Sequence, residues 1–292
     1  VASVDAWAGK RDLARRSTVE LANHQRAGLG LKGDRDVSLG VRGRGVAPAD
    51  LPVTPGLDAA GVVDAVGEGA DAAVGDEVVG TTVGGSYSEY ALLDRPVAKP
   101  GVLSWEVAAS LVTVGRTAFR VLGQLGVQSG QTLLVHGAAG SVGFIAVQLA
   151  VARGVTVIGT VGEHDIERVS ALGATAVRYG DGWLERVKAA APQGVDFVFD
   201  AAGAGVLADS VALTGDSARV ITIADMSAAQ HGVRFSAGSA DGSEESLPEL
   251  VRLAAEGKLI VPIWRTYPLA EATRAHTDLE ARRNHGKAVL LP

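Results

Sequence analysis

Cysteine is missing from the chain altogether, and with it go disulfides, thiolate nucleophiles and every zinc site built on a cysteine ligand. Positive charge is in deficit: 27 lysines and arginines face 33 acidic residues, a formal net charge of −6. That balance gives no general attraction to nucleic acid or an anionic membrane, so a small molecule or another protein is the expected partner. No stretch approaches the roughly 20 uninterrupted apolar residues that cross a bilayer. The opening VASVDAWAGKRDLARR lacks the apolar centre of a signal peptide, and a cytoplasmic protein is expected. Solenoid repeats and low-complexity tracts are also missing. His164, His231, His276 and His285 lie scattered, and no metal site is read from them.

What is present is apolar material, 47% of 292 residues, enough for one large domain or two ordinary ones, with two expected. From about residue 130 short apolar runs alternate with helical segments, the pattern of parallel strands joined by crossover helices. TLLVHG, VTVIGTV, AVRYG, VDFVFDAAG and ARVITIAD read as strands, with GVRFSAG as an edge strand. SVGFIAVQLAVARG, EHDIERVSALG, WLERVKAAA and GVLADSVALTG read as the helices between them. This is a doubly wound sheet with a nucleotide-binding unit at its start. Residues 53–103 show short strands, many glycines and no helical period, which describes a small all-β body with tight turns. SWEVAASLVTVGRTAFRVLGQLG is a long helix leading out of that body, and TYPLAEATRAHTDLEARRNHGKAVLLP gives a helix and a last strand that can return to it. Residues 1–45 show neither alternation nor a helical face and receive no assignment.

Between the first of these strands and its helix, Gly137, Gly140 and Gly143 recur at intervals of three. Without side chains the backbone can reverse sharply, a pyrophosphate can approach main-chain amides, and the helix can pack close to the sheet. The helix N-terminus adds unpaired N–H groups and a partial positive charge. Ala138, Ser141 and Val142 belong to the same binding turn. A turn made only for packing would have the same spacing, but the strand before, the helix after and a second strand ending about 20 residues on point to a dinucleotide. That second strand closes on Thr160, with Glu163, His164, Asp165 and Arg168 following. An acid at the strand end would repel a 2′-phosphate, whereas Thr160, His164 and Arg168 can accept one, so NADPH is the favoured cofactor. The alternative is that Glu163 folds back onto the ribose of NADH and Arg168 is a solvated helix residue. His136, on the buried strand end, reads as a core histidine ahead of a catalyst.

PGLDAAGVVDAVGEGADAAVGDEVVG, GSYSEYALLD, VGRTAF, LLVHGAAGSVGFIAVQLA, VFDAAG and HGKAVLLP follow in this order over residues 52–292. Together they resemble the zinc-independent medium-chain dehydrogenase/reductases, in particular the quinone oxidoreductase branch, which also supplies the enoyl reductase domains of polyketide synthases. The resemblance implies an α/β fold: a GroES-like, mostly-β catalytic domain from residues 1–103 and 265–292 and a Rossmann NADPH-binding domain from 104–264. It further implies a cleft between them where hydride reaches a quinone or activated double bond, and a homodimer joined along edge strands of the cofactor domains, here GVRFSAG. By the same resemblance the phosphate turn falls on Gly137, Gly140 and Gly143, and Tyr179 lies over the 2′-phosphoadenosine end. Thr117 is the cofactor-side threonine of the linking helix, Lys287 the phosphate-proximal lysine, and Ala201, Gly203 and Ile223 line the nicotinamide ribose.

Zinc-dependent relatives carry an early cysteine and a Gly-His-Glu segment; here Leu57 and Asp58 stand in the latter place. No catalytic zinc is expected, nor dehydrogenation of simple alcohols, which needs a Lewis acid. GVAPAD has Ala47 where the family has asparagine, with Asp50 retained, and the family's substrate-bordering loop is missing before LPVTPG. Hydride transfer asks the protein for alignment, exclusion of water and a hydrogen-bond donor to the developing oxyanion. Tyr87 is the best remaining donor, ahead of Tyr90, with wall packing as the alternative for both; Asp50 either orients the nicotinamide side or closes a turn after Pro48. The expected function is NADPH-dependent reduction of a quinone or α,β-unsaturated carbonyl compound. The alternatives are an enoyl reductase acting on a CoA- or carrier-bound acyl chain and a non-catalytic NADPH-binding protein. A short-chain dehydrogenase is set aside, since no tyrosine is followed four residues later by lysine.

Overall fold

The computed structural model describes residues 54–67, 70–238, 246–281 and 285–292, and the backbone of residues 14–21. Asp50 and Ala47 lie outside the described residues. The chain divides into two compact units, Val1–Thr113 with Leu247–Pro292, and Val114–Ser246.

The first unit is a six-stranded sheet. Strands β1 (Ala14–Leu21), β2 (Asp58–Val63), β3 (Glu77–Val83) and β4 (Tyr90–Ala98) pair antiparallel in sequence, and β4 pairs again with β1, closing a small ring. Ala59, Ala60, Val63, Val78, Val79 and Ala91 are buried there, the three valines being β-branched residues that suit a pleated surface. The C-terminal segment adds strands Ile263–Pro268 and Lys287–Leu291, which pair parallel to each other, and the latter runs antiparallel to β1. The last strand therefore does return to the β body. Between those two strands a helix, Ala272–Glu280, buries Ala275 against Tyr267, Ala288 and Leu290.

Three elements escaped the sequence reading, among them the strand Ile263–Pro268, since the C-terminal segment reads as a helix and one last strand. β1 lies within the unassigned N-terminal stretch; its order comes from partners on both sides, β2 and the last strand, which local pattern cannot show. A helix over Ser246–Ala255 was also unassigned, although Pro248 in its first turn and its leucine spacing are ordinary helix signals.

The second unit receives α1 (Trp105–Leu125) and carries β5 (Thr132–His136), β6 (Thr156–Val161), β7 (Thr175–Arg178), β8 (Phe197–Asp200), β9 (Val220–Thr222) and β10 (Arg234–Phe235). All pairings are parallel, in the order β10-β9-β8-β5-β6-β7. Helices α2 (Ser141–Ala152), α3 (Ile166–Ser170), α4 (Trp183–Ala190) and α5 (Leu207–Thr214) make the crossovers. The chain builds outward from β5 through β7, then returns to the other side of β5. That reversal opens a crevice at the carboxyl ends of β5 and β8, where doubly wound sheets take their ligands. Every residue of α2 from Val142 to Ala150 is buried, as expected of a helix apolar all round. The core beneath is Leu134, Ile158, Val198, Leu207 and Val220. Among the described residues no helix is long and apolar enough to cross a membrane.

Candidate cofactor site

At the end of β5 the chain bends at Gly137, whose φ of +73° lies in the left-handed region that suits glycine. The bend is fastened to β6: Gly137 N–H donates to Thr160 Oγ1 at 3.3 Å and Ala138 N–H to the Thr160 carbonyl at 3.1 Å. Gly140 N–H returns to the Gly137 carbonyl, and the Gly140 carbonyl accepts the first bond of α2 from Phe144 at 2.8 Å. A β-carbon on Gly143 would collide with the Gly137 carbonyl oxygen and lie 2.9 Å from its carbon. Helix and strand thus approach more closely than a side chain allows.

The N–H groups of Ser141, Val142 and Gly143 have no acceptor among the described residues, as the first turn of a helix leaves them. The Ser141 hydroxyl is buried and also lacks a partner there. A buried polar atom without a partner is costly. Set beside three open amides at the positive end of a helix, it fits a phosphate oxygen. The residues present therefore fit the diphosphate of a dinucleotide.

Below the bend runs a directional chain of hydrogen bonds. Ser210 Oγ donates to the Val206 carbonyl at 2.7 Å, so it must accept from His136 Nε2, 3.2 Å away. His136 Nδ1 is then the acceptor for the Thr160 hydroxyl at 3.2 Å, and Thr160 oxygen is left to receive the Gly137 amide. His136 is 2% exposed, with Trp183 edge-on at 4.8 Å, and burial pushes its pKa down to about 3. It is a neutral core histidine.

Two residues expected at a 2′-phosphate are occupied with the turn itself. The Thr160 hydroxyl belongs to the chain just described. Arg168 reaches up from α3 to donate to the Ala139 carbonyl at 2.7 Å, pairs with Asp165 at 3.2 Å and stacks on Phe144 at 4.9 Å. It braces the bend and is not a solvated residue.

Beside the bend, Ala201 N–H donates to the His136 carbonyl at 3.1 Å, which brings the end of β8 against Gly137. The sequence reading missed the organiser here. Asp200 is fully buried, and its carboxylate accepts from Ala202 and Gly203 N–H at 2.9 and 3.0 Å and from the Thr222 hydroxyl at 2.7 Å. Burial raises its pKa against those hydrogen bonds. Ile223 N–H donates to the Asp200 carbonyl at 3.0 Å, so Ala201, Gly203 and Ile223 share one edge. On the other side of the bend Glu163 and His164 sit exposed after β6, Glu163 pairs with Arg178 at 3.1 Å, and Tyr179 lies beside Gly162. Arg178 was not singled out from sequence, although it directly precedes Tyr179.

The remaining candidates belong to other elements. Thr117 is buried in α1. Tyr87 belongs to the first unit, its hydroxyl 3.1 Å from His276 Nε2, and burial pushes the phenol pKa up. Lys287 opens the last strand of that unit, 1% exposed, its ammonium pushed down to about 7 by burial. The chain has no cysteine, and no three His, Asp or Glu cluster among the described residues.

Residues 172–290 match the family described as zinc-binding dehydrogenase, and residues 33–101 the alcohol dehydrogenase GroES-like domain. The quinone oxidoreductase of Lama guanicoe is 31% identical over 264 residues, covering 82% of this chain and 80% of that protein. The solved quinone oxidoreductase from Coxiella burnetii is 31% identical with a TM-score of 0.73, covering 82% of this chain and 80% of its own. A mycobacterial protein solved complexed with NADPH is 28% identical with a TM-score of 0.77, covering 96% of this chain and 91% of its own. Fold and site together define an oxidoreductase that uses a nicotinamide cofactor. The chain belongs to the quinone oxidoreductase-type medium-chain dehydrogenase/reductases.

Proposed function

We propose that the protein is an NADPH-dependent reductase that passes a hydride to a quinone or an α,β-unsaturated carbonyl compound without zinc. The observation that carries this reading is the set of open amides at Ser141, Val142 and Gly143 with the partnerless Ser141 hydroxyl, at the point where the sheet reverses. When bound, the cofactor supplies the hydride. The amides hold the diphosphate, and Ala201, Gly203 and Ile223 line the nicotinamide ribose on an edge fixed by Asp200; Thr117 and Lys287 are cofactor contacts by resemblance.

Reducing an enone or quinone puts negative charge on a carbonyl oxygen, which a hydrogen-bond donor stabilises without a metal. Tyr87 fills that role if His276 carries its proton on Nε2 and donates to the phenol oxygen, leaving the phenolic proton for substrate. The raised pKa keeps that proton in place. NADPH is supported by the mycobacterial relative's complex, and two copies pair along the edge strand β10.

The test is NADPH oxidation with benzoquinone, phenanthrenequinone, an alkenal and crotonyl-CoA, with NADH in parallel. Turnover of the first three substrates is expected. Activity confined to crotonyl-CoA replaces this reading with an acyl enoyl reductase, and tight NADPH binding without turnover replaces it with a binding protein.

A further inference from the structure

We propose that Arg178 and Glu163 form a paired reader that sets the choice between NADPH and NADH, Arg178 taking the 2′-phosphate of one and Glu163 the 2′-hydroxyl of the other. This rests on reading the glycine turn as a dinucleotide site. Strands β6 and β7 end side by side, Val161 opposite Arg178, at the carboxyl edge where such sheets bind ligands. Glu163 stands 20 residues after Gly143 (163 − 143), near the interval of about 20 at which an acid meets a ribose hydroxyl. Its carboxylate is 3.1 Å from Arg178 Nη1. One chain therefore presents both the acid suited to a hydroxyl and the arginine suited to a phosphate, held against each other.

The neighbouring cations are engaged otherwise. Arg168 braces the Ala139 carbonyl. Arg186, from α4, donates to the carbonyls of Arg178, Tyr179, Gly180 and Asp181, which fixes the loop carrying Arg178. Arg178 and Glu163 have side chains 57% and 64% exposed. An ion pair in that setting contributes little to stability, so the guanidinium can leave the carboxylate for a phosphate that it grips with two parallel N–H groups. Glu163 then faces a like charge. With NADH the pair stays closed, and the carboxylate accepts from the ribose hydroxyl.

The experiment measures dissociation constants of NADPH and NADH on the intact chain by fluorescence titration, with R178Q, E163Q and, as the competing exposed cation of the same turn, H164Q. 2′,5′-ADP against 5′-AMP serves as a second probe free of the nicotinamide end. R178Q is expected to weaken NADPH and 2′,5′-ADP about tenfold, the scale of one charge-assisted hydrogen bond, with NADH little changed. E163Q is expected to weaken NADH and leave NADPH equal or tighter. A ratio that R178Q leaves unmoved, or one that H164Q moves in its place, overturns the pairing. Wild-type chain that binds neither cofactor removes the glycine-turn reading itself. A ratio moved by R178Q in a chain inert toward quinones and enones removes only the substrate reading.

Discussion

His136 carries no catalytic burden, yet the first amide of the cofactor bend depends on it through Thr160. Unfolded, its imidazole takes a proton near its ordinary 6.5; folded, it resists until about 3. Between those values the unfolded state binds more protons, so stability is complete above about pH 6.5 and is lost as pH falls toward 3, by a few kcal/mol on the order of the linkage relation. Melting temperature followed from pH 7.5 down to about 4.5 should decline in the wild type, and H136Q should flatten that part of the slope. The same substitution should weaken NADPH, because Thr160 loses the acceptor that orients it. At Gly143 the constraint is space: G143A should cost about 1–3 kcal/mol by overpacking and abolish NADPH binding, read by chemical denaturation and titration. Composition and position revealed that His136 is a core residue and that the glycines form a bend. They did not reveal which way the side chains of Thr160 and Arg168 turn, since a residue at a strand end can serve a ligand above or the turn beside it.

At the scale of elements, the place where zinc-dependent relatives carry Gly-His-Glu holds a clamp. Asp58, at the start of β2, accepts from the Thr113 amide at 3.0 Å and its hydroxyl at 2.7 Å, tying the strand to α1 at 2% exposure. D58A should lower stability by roughly 1.5–3 kcal/mol, the range for a hydrogen bond to a charged group, measured by denaturant unfolding. Parallel strands with their crossover helices were legible because each is a contiguous apolar run closed by its own turn. β1 was not, because strands distant in the chain stabilise it. Asp200 hides for a related reason: VFDAAG looks like a strand running into a loop, and only the fold shows its carboxylate collecting three donors.

For the whole molecule, the return of the chain to β8 after β7 is what makes the carboxyl edge of β5 an open site, and the alternation of patterns announced it. β10 is an edge strand of the parallel sheet. Phe235 on it is 37% exposed; if two copies pair along this strand as proposed, F235D should shift the dimer toward monomer in sedimentation velocity, without loss of NADPH binding. The grip of Arg186 on four successive carbonyls has a broader corollary. Because the scaffold under the coenzyme's adenosine is anchored independently of the two surface groups that discriminate, a lineage could exchange one pool of reducing equivalents for the other by altering those groups alone, with the architecture below them untouched.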